Sequence, residues 1–277
     1  MKLVSGSTTT ASSGLSNPQF AEEVTVAAVR LDPEGGGRIA SLEVDGVELL
    51  ASRQGGDWLL WGCYPMVPWA GRVRDGHFEF DGEEYQLELD LPPHSIHGVG
   101  YRTAWNEVGP GVVHLDLDGL WPFGGWVEQR VEVSEQSLAV AVSVQATERM
   151  PVMAGWHPCF QRRLSRGDEA ELDFSAGYMW QRDDAGIPTG ERVPGPPGPW
   201  DDCFGGIAEP LVVRWPGFGS IRLESNMTSW VVYNEDPDLV CVEPQSDAPD
   251  AFNRNPMILE AGETLDAWMK ISWELEK

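Results

Sequence analysis

Gly76-His77-Phe78-Glu79-Phe80-Asp81-Gly82-Glu83-Glu84-Tyr85-Gln86-Leu87-Glu88-Leu89 is the stretch that decides the fold class. Phe78 and Phe80 alternate with His77 and Glu79 before Asp81-Gly82, and Tyr85, Leu87 and Leu89 alternate with Gln86 and Glu88 after it. Successive side chains of a strand point to opposite faces, so each arm has one apolar face. Asp-Gly supplies the positive φ angles of a tight two-residue turn. The segment reads as a β-hairpin.

Working outward, the same short apolar or alternating runs cover 24–31, 38–50, 112–117, 126–133, 138–146, 211–215, 220–224, 230–234 and 267–274, broken by Gly, Pro, Asn and Asp. Almost no stretch offers three turns of apolar residues at helical period. So many short strands exceed one flat sheet. They predict an all-β fold, a large antiparallel β-sandwich whose long connections are free to carry a site. Residues 1–20, rich in Ser, Thr and Gly, read as a flexible tail, and 21–277 as one β-sandwich domain. The segment 186–206, with Pro188, Pro194, Pro196, Pro197 and Pro199, reads as a rigid surface loop.

The 277 residues carry 19 Lys and Arg against 44 Asp and Glu, a formal charge of −25. Such a field repels phosphate backbones and anionic membranes, which argues against nucleic-acid and membrane partners and leans towards an uncharged small molecule. Cys63, Cys159, Cys203 and Cys241 contain no Cys-x-x-Cys pair, so neither a zinc knuckle nor a redox motif is indicated, and reduced thiols are expected. No apolar signal segment or membrane-length run stands out, and a cytoplasmic protein, monomer or homodimer, is the expectation.

Three acid-base side chains stand in short frames poor in other polar groups: Ser95-Ile96-His97-Gly98, Gly155-Trp156-His157-Pro158, and Val240-Cys241-Val242-Glu243-Pro244-Gln245. Taken singly, each also fits a structural residue. Together, a carboxylate and two imidazoles in one cleft would move protons with no metal or organic cofactor. Trp69 and Trp156 adjoin these frames and invite a sugar-stacking role. Most other Trp residues, among them Trp58, Trp61, Trp105, Trp121 and Trp268, read as core. His77 and His114 alternate outward, and His94 lies close enough to His97 to support it.

Two further segments, Pro68-Trp69-Ala70-Gly71-Arg72 and Trp200-Asp201-Asp202-Cys203-Phe204, complete an ordered set with the three frames. In that set the sequence resembles the aldose 1-epimerase (galactose mutarotase) family, which carries an Asn-Arg pair, His-Gly, Gly-x-His-Pro, Asp-x-x-Phe and a Glu-Pro segment in this order. The resemblance runs from Pro68 to Ser246 and implies a galactose mutarotase-like supersandwich. It implies Glu243 as general base, His157 as general acid and His97 as a second imidazole near the ring oxygen. Arg72 and Asp201 would bind sugar hydroxyls, with Asp202 competing for the latter role, and Trp69, Trp156 and Gln245 complete the expected substrate-binding set. The sequence departs from the pattern at Gly71, where many members have Asn.

The implied reaction interconverts the α and β anomers of an aldohexose by ring opening and reclosure. A Glu near ~4.3 accepts a proton at neutral pH and a His near ~6.5 supplies one. Several alternatives compete. Two His and one Glu also make a zinc set, but the spacing lacks His-Glu-x-x-His. A glycosidase would pair Glu243 with Asp201 or Asp202. A non-catalytic carbohydrate-binding protein would need neither Glu243 nor His157. A hexose 6-phosphate would need Arg72, Arg74, Arg102, Arg162 and Arg163 to gather as an anion site.

Overall fold

The computed structural model describes residues 1–4, 27–53, 55 and 57–276. Most strands join two antiparallel sheets. The larger, of 11 strands, runs in the order Lys2–Val4, Ala27–Asp32, Arg38–Val44, Cys63–Met66, Gly155–Gln161, Leu239–Gln245, Ser229–Tyr233, Asp201–Gly205, Tyr178–Arg182 and Pro188–Val193, with Val47–Glu48 paired to Arg38–Val44. The smaller, of 8, runs Asn106–Gly109, Val112–Asp116, Trp126–Val133, Ser137–Gln145, Thr264–Leu275, Gly219–Ser225, Leu211–Trp215 and Glu171–Asp173. The expected β-sandwich is the observed fold.

Alternation explains how the sheets meet. In Ser137–Gln145 every second residue is buried, and in Trp126–Val133 so are Val127, Gln129 and Val131. These faces meet the larger sheet, whose Trp156, Phe160, Val240 and Val242 belong to the same core cluster. The strands Gly155–Gln161 and Leu239–Gln245 are buried on both faces apart from Gln161, because one face lines the core and the other lines the site described below. Continuous apolar runs such as Leu239-Val240-Cys241-Val242 are what such doubly covered strands require.

The founding hairpin forms as His77–Phe80 and Glu83–Gln86, with Asp81 at φ 53° and Gly82 at φ 83° in the turn. It is a separate two-stranded ribbon, not part of either large sheet. Phe78 is buried and stacks on Tyr85 at 5.1 Å, whereas Leu89 lies beyond the second strand and is exposed.

Three expectations need correction. The segment 186–206 is not one loop: Pro188–Val193 and Asp201–Gly205 are strands of the larger sheet. Pro188 begins an edge strand, where a missing N–H is tolerated, and Pro194, Pro196, Pro197 and Pro199 fall between the two strands. Lys2–Val4 pairs with Ala27–Asp32, and the Met1 ammonium donates to the Leu31 carbonyl at 2.9 Å, so the tail expected over 1–20 begins with a strand. Its residues 5–20, and 24–26 of the first expected strand, lie outside the described residues. Finally, Trp58 and Trp268 are exposed rather than core. All four cysteines are free and buried, and among the described residues no helix is long and apolar enough to cross a membrane.

One polar residue crosses the sandwich. Gln129 is fully buried, accepts from Trp156 Nε1 at 2.9 Å and donates to the Gly37 carbonyl at 2.5 Å. Replacing it by Leu leaves both partners buried without a hydrogen bond, a loss of about 1–3 kcal/mol. We expect Gln129→Leu to lower the midpoint of urea unfolding without changing its slope, measured by Trp fluorescence.

Candidate active site

The site grows from the register of two central strands. Gly155 lies opposite Gln245 and Cys159 opposite Cys241, which sets His157 opposite Glu243. On the next ladders Tyr64 faces His157, and Val231 faces Glu243. His157, Glu243 and Gln245 thus project from one face of the sheet into a cavity of about 370 Å³, also lined by Gly71, Arg72, His97, Trp180, Arg182, Asp201, Asp202, Tyr233 and Pro249.

His157 Nε2 stands 3.2 Å from Glu243 Oε1, and both side chains are nearly fully buried. Glu243 Oε2 accepts from Gln245 Nε2 at 3.3 Å. Burial pushes Glu243 up to about 7 against the opposing pull of the His157 charge. Burial alone would lower His157, but the Glu243 carboxylate, aided by Cys159, outweighs it and raises the imidazole to about 9. The ring stacks on Tyr64, with centroids 4.8 Å apart and planes 10° from parallel, and the Arg38 guanidinium lies 4.3 Å from the Tyr64 ring.

His97 comes from an irregular turn. It has φ 58°, and Gly98, at φ 78°, passes so close to Val67 that a Cβ there would lie 2.0 Å from the Val67 carbonyl oxygen. Only glycine fits that approach. The turn is fixed to Gly71 by two hydrogen bonds: His97 N–H donates to the Gly71 carbonyl at 3.0 Å, and Gly71 N–H donates to His97 Nδ1 at 3.2 Å. Nδ1 is therefore an acceptor, so the proton of the neutral ring sits on Nε2. Burial, with the charges of His157 and Arg72, holds His97 well below the usual histidine range. It meets His157 edge-on, at 4.9 Å between centroids.

Arg72 and Arg182 both reach Asp201 Oδ2, at 3.2 and 3.1 Å, and Arg182 Nε binds Asp202 at 2.9 Å. Both aspartates therefore line the cavity. Of the other arginines considered for an anion site, none lines it: Arg74 pairs with Asp183, Arg102 with Glu88 and Asp90, and Arg163 with Glu169, while Arg162 donates to backbone carbonyls of Asn234, Asp236 and Leu239.

Trp69 and Trp156, expected beside the sugar, are core residues instead. Trp156 neighbours His157 in a strand, so the pleat sends it to the opposite face. Trp69 packs on Trp121 at 5.5 Å. His94 is tied to the Asp75 N–H and the Ala185 carbonyl, next to Gly186 on the cavity rim. The departure at Gly71 has a local cause: it takes φ 69°, and a Cβ there would meet the Pro249 ring at 2.6 Å. Sequence reading missed Tyr64, Trp180 and Arg182, which only pairing between distant strands brings to the site, Pro249, which reaches it from a loop packed on Gly71, and Cys159, whose signal was its two-residue spacing from His157 on one strand. Three donor atoms in each of the sets His97, His157, Glu243 and His157, Cys159, Cys241 lie within 4.8 Å of one another, close enough to surround a cation, though most are already engaged in the hydrogen bonds described.

A family model described as aldose 1-epimerase matches residues 33–272. The chain belongs to the aldose 1-epimerase family. It is 27% identical over 248 residues to the uncharacterized protein YphB of Escherichia coli K12, covering 76% of this chain and 84% of that one. It is 28% identical over 139 residues to human galactose mutarotase, covering 45% and 40% of the two chains. Among solved structures it resembles a galactose mutarotase-like protein of Clostridium acetobutylicum, with TM-score 0.77, 18% identity and coverage of 93% and 94%. A galactose 1-epimerase of Lactobacillus acidophilus gives TM-score 0.71 at 14% identity, covering 100% and 99%. At these identities the structural matches establish the fold.

Proposed function

We propose that this member of the family is an aldose 1-epimerase that interconverts the anomers of a neutral aldohexose, with Glu243 as base and His157 as acid. The observation that carries the reading is the 3.2 Å contact between Glu243 and His157 Nε2 on the wall of a sugar-sized cavity. The anomeric oxygen O1 and the ring oxygen O5 are bonded to the same carbon, so a base and an acid that act on them must stand side by side.

In this mechanism Glu243 takes the proton from O1–H while His157 Nε2–H protonates O5 and the C1–O5 bond breaks, giving the open-chain aldehyde. Rotation about C1–C2 presents the other carbonyl face. The hydroxyl O5 then attacks C1, its proton returns to His157, and Glu243 gives its proton back to O1. The neutral His97, with Nε2–H free to donate, steadies an oxygen without competing as an acid. Arg72, Asp201 and Asp202 offer charged hydrogen-bond partners to hydroxyls, and Gln245 Oε1, without a partner among the described residues, offers an acceptor. No step requires a cofactor.

Each proton-transfer group typically supplies ~10² to 10⁴ in rate, so Glu243→Gln and His157→Asn should each lower kcat by about that factor in a polarimetric assay corrected for spontaneous mutarotation. Near-normal interconversion by either variant removes that residue from the pair. A wild-type protein that binds aldoses without turnover, with affinity unchanged in Glu243→Gln, would make it a binding protein instead.

The base must be ionised and the acid protonated. Activity should therefore be lost as pH falls through about 7, where Glu243 takes up its proton, and lost again as pH rises through about 9, where His157 loses its own. A flat kcat/KM profile between these limits and beyond would separate the pair from catalysis.

Charge at the cavity favours an uncharged sugar, because both arginines that line it are held by Asp201 and Asp202. Glucose or galactose should be turned over with higher kcat/KM than the corresponding 6-phosphate. The reverse ranking would point to an anion site not built from these arginines.

A further inference from the structure

Both strands that carry the acid-base pair also carry a cysteine two residues along, on the same face. Cys159 and Cys241 are register partners. The N–H of Cys159 donates to the Gly62 carbonyl and its C=O accepts from Ala51 N–H, both at 2.8 Å and both on the flank away from Cys241. The two cysteines thus form a non-hydrogen-bonded pair, the kind whose side chains lie closest, and their sulfurs are 3.2 Å apart. Cys159 Sγ also lies 3.2 Å from His157 Nδ1 and 3.7 Å from the Leu59 carbonyl. Neither cysteine lines the cavity, and both are fully buried.

We propose that Cys159 is the positioning residue of His157, its sulfur accepting a hydrogen bond from Nδ1–H so that Nε2, facing Glu243, is the nitrogen that gains and loses the catalytic proton. The hydrogens can be placed without conflict. Cys241 S–H donates to Cys159 Sγ, Cys159 S–H points at the Leu59 carbonyl, and His157 Nδ1–H donates to Cys159 Sγ. A thiolate at Cys159 would accept the same two bonds, so the role of the sulfur towards Nδ1 does not depend on its charge.

Stacking on Tyr64 fixes the plane of the imidazole but does not distinguish the ring from its flipped copy, which lies in the same plane. A partner at Nδ1 does. Once His157 gives up its Nε2 proton, the neutral ring must keep the other one on Nδ1, inside the protein. Without an acceptor there, that proton would be buried unsatisfied, and the ring would favour the Nε2–H tautomer, a far poorer acid.

This inference rests on the mutarotase reading, and its test separates the two. In protein labelled with ¹⁵N-histidine, long-range ¹H–¹⁵N correlation recorded above the pH of about 9 at which His157 gives up its proton, with His157 assigned by its disappearance in His157→Asn, should show Nδ1 protonated and Nε2 bare in the wild type. Cys159→Ala should lower kcat about tenfold or more, part of the ~10² to 10⁴ a placed acid supplies, leave KM within about twofold, and move the alkaline limb of the pH profile down. Cys159→Ser, which keeps an acceptor, should restore most of the rate. Wild-type kcat and an unmoved alkaline limb in Cys159→Ala, or an unprotonated Nδ1 in the wild type, would overturn the proposal. Should Cys159→Ala fail to fold, the wild-type spectrum and Cys159→Ser decide. A wild type that turns over no aldose would sink the mutarotase reading, while the spectrum would still decide the Nδ1 contact.

Discussion

One strand register holds the site together. Because Gly155 pairs with Gln245 and Cys159 with Cys241, the polar side chains between them meet across the ladder, and His157 finds Glu243. A slip of one residue would turn every side chain of one strand to the other face. If the strand Gly155–Gln161 slipped, His157 would enter the core and Trp156 would face the cavity; if Leu239–Gln245 slipped, Glu243 and Val242 would exchange places in the same way. The core forbids this: Trp156 is bound to Gln129 of the facing sheet, and Val240 and Val242 pack in the same cluster. Packing of one face thus fixes the chemistry of the other.

The same logic separates what the amino-acid pattern reveals from what it hides. The two-residue period over 126–133 and 211–215 matches the strands residue for residue, and the Asp81-Gly82 turn has the backbone it needs, since these are local signals. His97, His157 and Glu243 stand out because each interrupts an apolar frame, which is itself a local anomaly. Trp69 and Trp156 mislead for an equally local reason: proximity in sequence suggests proximity to the site, yet the pleat sends Trp156 to the other face from His157, and Trp69, outside any strand, packs on Trp121 in the core. Arg182, Trp180 and Tyr64 carry no marking of their own, because their place depends on pairings between segments up to about a hundred residues apart. The strands within 186–206 escape notice because prolines dominate the composition, although they fall at the start of one strand and between the two.

Charge acts on two scales. The formal −25 describes a surface field that says little about the cavity. Inside, each arginine at the wall meets an aspartate, so the cavity presents fixed dipoles and paired charges rather than a net positive surface. Hydroxyl groups, which both donate and accept, suit such a wall better than a phosphate does. Gly71 shapes it too: the Pro249 ring fills the space a side chain would take, putting an apolar edge there.

Burying His157 with Glu243 is costly, because desolvating each ion costs several kcal/mol and their attraction offsets this only when the remaining hydrogen-bonding positions are used. Here they are used unevenly. Nδ1 of His157 has Cys159 and Glu243 Oε2 has Gln245, but Gln245 Oε1 and Trp180 Nε1 have no partner among the described residues, and His97 keeps Nε2 for the cavity. An apolar ligand would leave these groups unsatisfied, whereas a ring bearing several hydroxyls can answer them together. Burial raises Glu243 to about 7 and the Glu243 carboxylate raises His157 to about 9, so between these limits the pair rests as carboxylate and imidazolium. A carboxylate held beside an imidazolium is the state in which one group can accept a proton while its neighbour supplies one.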